Sequence, residues 1–327
     1  MLRRSIISMA GVMPLTMAFP SRAQVPTRVH RIGFLSPNAR ESPTSKATLE
    51  EFLAFLQTLG YAEGRNLIAD VRYAEGQTDR LAALAAELAA LKPDVIVALT
   101  TQGTLAARRA APTTAIVMIN VTDPVGVGLV ASLARPGGNV TGVTDFGLEL
   151  CSKSVELARA VVPLMKRIAV LTSDNPVHQY QLAEVQKAAL KLDLSAIQTS
   201  ALTADDLERA ISFAKANASA LIVLGGGVQS GNREKIAELT KREKMPAFSN
   251  VRPYVDAGLL ASYGPTVLPQ YRIAATYVRK IFAGTQVSDL PVEQPTHFEL
   301  VVNLKTAKAL GIKIPQSVML QATEVIE

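Results

Sequence analysis

The sequence contains no tryptophan, three histidines and one cysteine, and these scarcities exclude several kinds of chemistry. A lone cysteine, Cys151, cannot close an internal disulfide, so stability must come from apolar burial. His30, His178 and His297 lie far apart, with no His-x-x-x-His or Cys-x-x-Cys spacing, so a zinc or other metal site is not expected. No Gly-x-Ser-x-Gly elbow occurs, which argues against a serine hydrolase of the α/β type. Cys151 sits among helix formers with no histidine close in sequence and reads as a packed or surface thiol. Beyond residue 23 no apolar run reaches the roughly eighteen residues of a membrane span.

An excess of positive charge is also mostly missing once the beginning of the chain is set aside. Arg3 and Arg4 precede an apolar stretch from Ile6 to Phe19, and Ser21-Arg22-Ala23 has small residues at −3 and −1 of a cleavage site, the pattern of a secretory signal peptide over residues 1–23. Gln24 follows where a lipoprotein would carry cysteine, so a periplasmic protein without a lipid anchor is expected. The formal charge of +6 falls to about +3 when Arg3, Arg4 and Arg22 leave with the signal. No Lys/Arg run or aromatic-interleaved basic stripe remains, so nucleic acid is not an expected partner.

What is present is an alternation of short β-branched runs with longer segments of helical period, the signature of doubly wound parallel sheets. The first half predicts strands at 31–35, 66–73, 95–99 and 115–120, with helices at 44–59, 79–91, 103–110 and 126–134. Pro136-Gly137-Gly138-Asn139 then breaks the rhythm before an extended piece at 140–143. The second half predicts strands at 167–172, 194–199, 220–224 and 247–249 between helices at 177–191, 204–216 and 232–244. Strands at 258–263 and 298–302 flank a helix at 268–282 and read as further crossovers. The fold class is therefore α/β, with two lobes: residues 29–143 plus about 264–290, and residues 144–263 plus about 291–327.

Open α/β sheets hold ligands beyond the carboxyl ends of their strands, and small polar residues stand at those ends here. The first half offers Ser36, Pro37 and Asn38, then Thr100, Thr101 and Gln102, then Thr122 and Asp123. Thr101 precedes a predicted helix, where its hydroxyl and free backbone N–H groups would take a carboxylate or where it would simply cap the helix. Asp123 would accept from an amine or brace the turn at Pro124. The second half offers Ser173, Asp174 and Asn175, the glycines 225–227, and Ser249 and Asn250. Gly226 suits a turn that lets backbone approach a ligand or, equally, a plain tight turn, and Tyr263 would close over a ligand or merely pack. Gly126-Val127-Gly128-Leu129-Val130-Ala131 matches a dinucleotide fingerprint but does not follow the first strand, so a packed helix start is the better reading and no cofactor is expected. The ligand-contact candidates are Ser36, Pro37, Thr100, Thr101, Asp123, Asn175, Gly226, Asn250 and Tyr263.

Several stretches carry a family resemblance: Leu59–Leu67 (LGYAEGRNL), Asp123–Gly126, Leu129–Gly142 (LVASLARPGGNVTG), Ala261–Pro265, Leu290–Leu300 (LPVEQPTHFEL) and Val302–Gly311 (VNLKTAKALG). The chain resembles the ABC transporter substrate-binding proteins of the tryptophan/tyrosine-binding type over nearly all of its length after the signal. The resemblance implies a type I periplasmic-binding fold with three crossovers and a cleft between the lobes. It further implies a small-molecule ligand, an amino acid, with aromatic amino acids one class, or a small organic acid, and a membrane permease as partner for a monomeric binding protein that is not an enzyme. A periplasmic sensor of the same fold and an unrecognised secreted α/β enzyme are the rival readings.

Overall fold

The computed structural model describes residues 28–327, and the expected signal peptide lies outside the described residues. The first half supplies β1 (His30–Ser36), α1 (Pro43–Thr58), β2 (Leu67–Tyr73), α2 (Leu81–Ala90), β3 (Val95–Leu99), α3 (Thr100–Ala110), β4 (Ala115–Val121) and β5 (Val140–Thr144). Its strands form one sheet of order β2-β1-β3-β4-β5, every pair parallel. The central strand β3, VIVAL, is buried at every residue, as a strand covered by helices on both faces requires. Edge strand β2 fully buries only Leu67. The run LAALAAELAA becomes α2 because Leu81, Leu84, Ala85 and Leu88 share one helical face, and all four are buried.

The second half repeats this winding. It comprises α4 (Leu150–Val161), β6 (Arg167–Thr172), α5 (His178–Leu190), β7 (Ser195–Ser200), α6 (Asp206–Asn217), β8 (Ala220–Val223), α7 (Gly227–Gly231), α8 (Arg233–Arg242), β9 (Ala247–Ser249), α9 (Pro253–Ala257) and β10 (Ala261–Pro265). Strands β7-β6-β8-β9-β10 take the same order as the first sheet. The chain then returns to the first sheet. Helix α10 (Val267–Phe282) packs on α1, β4 and β5, and its Tyr271, Ala274 and Val278 share a core with Ile32, Phe34 and Val117. Val292 enters the core on the opposite face of that sheet.

A last crossing brings β11 (Phe298–Asn303), α11 (Leu304–Leu310), α12 (Gln316–Met319) and β12 (Glu324–Ile326) to the second sheet. The chain thus passes between the sheets at 145–149, at 266 and at 294–297. Strand β11 is antiparallel to β10, a departure from an all-parallel second sheet. Its direction follows from the connection: the chain leaves β10 at the edge facing the other sheet and re-enters at that same edge, so it must run back.

One predicted element is absent. Residues 126–134 form turns, not a helix. The Asp123 carboxylate accepts from the Gly126 N–H at 2.9 Å, and Gly128, at φ 72°, stops the turn after one cycle. Leu129 and Val130 are nevertheless buried, so the apolar spacing that suggested a helix is met by a turn.

Candidate functional site

The carboxyl ends of both sheets face one another across a cleft with about 820 Å³ of atom-free space, its solvent-open mouth included. Its walls come from the points where each sheet reverses its winding, between β1 and β3 and between β6 and β8, where this class of sheet opens a crevice. Asn38, Thr100 and Thr101 line one side, and Asn175, Gly225 and Gly226 the other. Asn250 and Gln270 add side-chain amides, while Tyr254 and Tyr271 lie beneath the surface.

The backbone bends sharply where it borders this space. Thr100 has φ 65°, Asn120 φ 57° and neighbouring Asp123 φ 45°; for a β-branched threonine that is an outlier, costing of order 1–3 kcal/mol. Such geometry lets α3 spring from β3 without a loop, with Leu99 at the cap position and no side chain capping it. Thr101 is therefore inside the first helical turn, 2% exposed, and does not act as the cap. Gly226 has φ 95°, and a Cβ there would lie 2.3 Å from Asn175 Nδ2, so glycine is required twice over.

Two ionisable groups in the lining form no ion pair among the described residues. Arg233, 5% exposed at the start of α8, makes only long contacts, 3.4 Å to Asn38 Oδ1 and 3.4 Å to Ser42 Oγ. By contrast Arg252 is held by Glu299 at 3.0 Å and Glu324 at 2.7 Å. Asp145, on the first crossover, accepts from the Thr122 hydroxyl at 2.8 Å and from the Gly147 N–H at 2.8 Å. Burial raises its carboxyl pKa above the ordinary carboxylate range, and those two hydrogen bonds offset only part of the rise. In addition, Asn250 Oδ1, Gln270 Oε1 and Thr100 Oγ1 are buried without a hydrogen-bond partner, an arrangement costly unless something in the cleft supplies one.

His178 shapes the second wall from behind. Its Nδ1 accepts from the Ser173 N–H at 2.8 Å, and Nε2 donates to the Gly225 carbonyl at 3.0 Å, which ties the two loops carrying Asn175 and Gly226. Burial pushes its pKa down from 6.5 to about 4, against the opposing pull of the Gly225 hydrogen bond. The neutral ring is the one that folds, so the unfolded chain binds the extra proton between those values. The associated stability is complete above about pH 6.5 and is lost as pH falls towards 4. Urea unfolding at about pH 7.5 and about pH 3.5 should show roughly 3 kcal/mol more acid loss in the wild type than in His178→Gln. Equal acid sensitivity of the two proteins would remove this role.

The residues expected from sequence divide into two groups. Thr100, Thr101, Asn175, Gly226 and Asn250 meet in the cleft lining, whereas Ser36, Pro37, Asp123 and Tyr263 lie outside it. Ser36 Oγ accepts from the Asn38 N–H at 3.2 Å and the Pro37 carbonyl from the Gly76 N–H at 2.8 Å, so both shape the loop that presents Asn38. Asp123 braces the turn as described. Tyr263 stacks on Phe298 and packs against the core beneath α4, because it lies within β10, short of the carboxyl end. Arg233, Asp145, Asn120, Gln270 and the two tyrosines were not foreseen. Asp145 did carry a signal, since it directly follows β5, whereas Arg233 has the look of an ordinary surface residue in REKIAELTKR.

The two halves touch across the mouth. Gln102 Nε2 donates to Asp174 Oδ1 at 3.0 Å, Arg233 reaches Asn38 and Ser42, and Gly231 lies so near Gly76 that a Cβ on it would stand 2.0 Å from Gly76 Cα. The cleft is closed.

The sequence profile of the family described as ABC transporter substrate binding protein matches residues 40–326. A tyrosine-binding protein of Clostridioides difficile (strain R20291) is 27% identical over 274 residues, covering 84% of this chain and 79% of that protein. A Streptococcus pneumonia ABC domain solved in complex with L-Trp superposes with a TM-score of 0.84 at 25% identity, covering 91% of this chain and 100% of that one. A ligand-free, open substrate binding protein from Clostridium difficile gives 0.63 at 26% identity, covering 91% and 99%. The better match to the ligand-bound relative agrees with the closed cleft.

Proposed function

The chain belongs to the ABC transporter substrate-binding protein family, and from that premise we propose that it is the extracytoplasmic solute-binding component of an ABC importer. It captures a small carboxylate-bearing solute, an amino acid or a small organic acid, and carries out no reaction on it. The observation that carries this reading is Arg233, a buried guanidinium in the cleft with no acidic partner among the described residues. A buried cation is costly until an anion pairs with it, and the planar N–H fork of arginine fits a carboxylate. The L-Trp complex and the tyrosine-binding relative support an amino acid as one such solute.

In this reading the moving bodies are residues 29–144 with about 267–293, and residues 150–265 with about 298–327, because β10 extends to Pro265 on the second sheet and Val292 packs in the core of the first. Thr100 and Thr101 stand on the first and Arg233, Asn175 and Asn250 on the second, so the solute bridges them. Its binding energy selects the closed form, which a membrane permease would then engage from the periplasmic side. No helix among the described residues is long and apolar enough to cross a membrane, and the expected signal peptide accounts for export.

The test is a thermal-shift screen of residues 24–327 against amino acids, aromatic acids and other small carboxylates. A solute at a hundred times its Kd should stabilise the fold by about 2.7 kcal/mol. Thr101→Ala, at a residue 2% exposed on the cleft wall, should weaken that solute about tenfold with the fold intact, the size of one lost hydrogen bond. Stabilisation only by solutes without a carboxylate would overturn the proposal.

A further inference from the structure

A second recess lies on the seam between the two halves, beside the first turns of α1 and α10, with about 1180 Å³ of atom-free space, its open side included. Ala47 of α1 and Leu268 and Pro269 of α10 form the wall on the first sheet's side. Arg252 and Asp256 of α9 and Glu299 of β11 form the wall on the second. Thr44, Pro253 and Val267 line both this groove and the solute cleft, so three residues make the partition between them. The two walls belong to different moving bodies, and the groove therefore has this shape only while the cleft is closed.

The walls differ in chemistry. The first is apolar, with Leu268 left 41% exposed beside Pro269 and Ala47. The second is acidic. Arg252 is its cation, and three carboxylates share that one guanidinium, Glu324 at 2.7 Å, Glu299 at 3.0 Å and Asp256 at 3.4 Å, an excess of two negative charges. Glu299 is 7% exposed and engages Arg252 through Oε2, while its Oε1 has no hydrogen-bond partner among the described residues. Burial raises the carboxyl pKa of Asp256, a rise that Arg252 and the more distant Arg233 offset only in part. An added cation with N–H donors would relieve both carboxylates. A neutral apolar molecule would leave the Glu299 oxygen unpaired, and an anion would be repelled.

We infer that this groove is a second binding site, for a small primary amine carrying an apolar group, and that its occupant favours the closed form and so strengthens solute binding in the cleft. A ligand that needs walls from both bodies binds the closed form better than the open one, and the factor by which it aids the solute is returned to it by the solute. The coupling, though not the occupancy, rests on the importer reading given above.

Isothermal titration calorimetry of the purified protein at low ionic strength tests this with benzylamine, and with benzyl alcohol and benzoate as probes of similar size without the positive charge. Benzylamine should bind at least about tenfold more tightly than either. Ala47→Lys, at an exposed helical position outside the cleft lining, brings a cation of its own to the groove and should abolish benzylamine binding while leaving the Kd of a cleft solute unchanged. Saturating benzylamine should lower that solute's Kd in the wild type by about fivefold or more, and saturating solute should lower the Kd of benzylamine by the same factor. Competition between the two would put the amine in the cleft and overturn the inference. So would the absence of benzylamine binding, equal binding of the three probes, or benzylamine binding that survives Ala47→Lys. None of these outcomes touches the importer reading, whose failure shows instead as no carboxylate bound in the cleft; the three probes still decide the groove in that case, and also if Ala47→Lys does not fold.

Discussion

Replacing Arg233 with methionine should raise the Kd of the solute about a hundredfold or more and leave the ligand-free protein at least as stable as before. The first effect follows because a desolvated charge pair in a cleft is worth about 2–5 kcal/mol to binding, and each 1.4 kcal/mol or so is tenfold. The second follows from what Arg233 does in the absence of solute. It is 5% exposed, with two hydrogen bonds of 3.4 Å and no ion pair among the described residues, only the more distant charge of Asp256, so the fold carries a poorly compensated cation. Methionine keeps most of the volume and removes that desolvation cost. Calorimetry for affinity and a thermal midpoint without solute would check both. A variant that loses stability and binding in parallel would make Arg233 a structural residue, and one that binds normally would detach it from the solute.

Gly231→Val should hold the cleft open. Gly231 ends α7 on the second sheet's side, and a Cβ there would meet Gly76 Cα at 2.0 Å and Gly76 N at 2.6 Å, so backbone on both sides must separate. Neither group is the tip of a flexible side chain that could turn aside. The clash exists only when the halves are together, so each half should fold as before. If the closed form is disfavoured by about 3 kcal/mol, apparent affinity falls about a hundredfold through the population that can close, with no solute contact altered. Small-angle scattering should show the wild type compact with solute and the variant extended at the same solute concentration. A variant that compacts and binds normally would mean that the Gly231–Gly76 approach does not gate closure. Valine is preferable at Gly231 to any change at Gly76, whose φ of 76° would add strain of its own.

Much of the scaffold is legible without coordinates because its causes are local. VIVAL at 95–99 is apolar throughout and can only be a strand covered on both faces, and LAALAAELAA repeats its leucines at helical spacing. Small polar residues beyond such strands are ligand candidates by the geometry of open sheets, and Thr100, Thr101, Asn175, Gly226 and Asn250 do meet in one cleft. The same local reasoning misplaced a helix at 126–134, where apolar spacing matched a helical face but the Asp123 carboxylate and Gly128 impose turns. It also placed Tyr263 at the cleft, although the residue lies within a strand and packs beneath α4.

By itself, then, the sequence determined the α/β class, the repeated winding, the family and the loops from which a binding site had to be drawn, since periodicity and turn chemistry act over a few residues. The tertiary structure decided which members of those loops meet. Arg233 is a solvated helix residue in sequence and a buried cation in space, because α8 begins where the opposite half closes over it. Asp145 belongs to a crossover, and its lack of an ion-pair partner among the described residues depends on every element packed around it. Charge compensation and close approach between distant segments are properties of the assembled cleft, and no pattern of neighbouring residues encodes them.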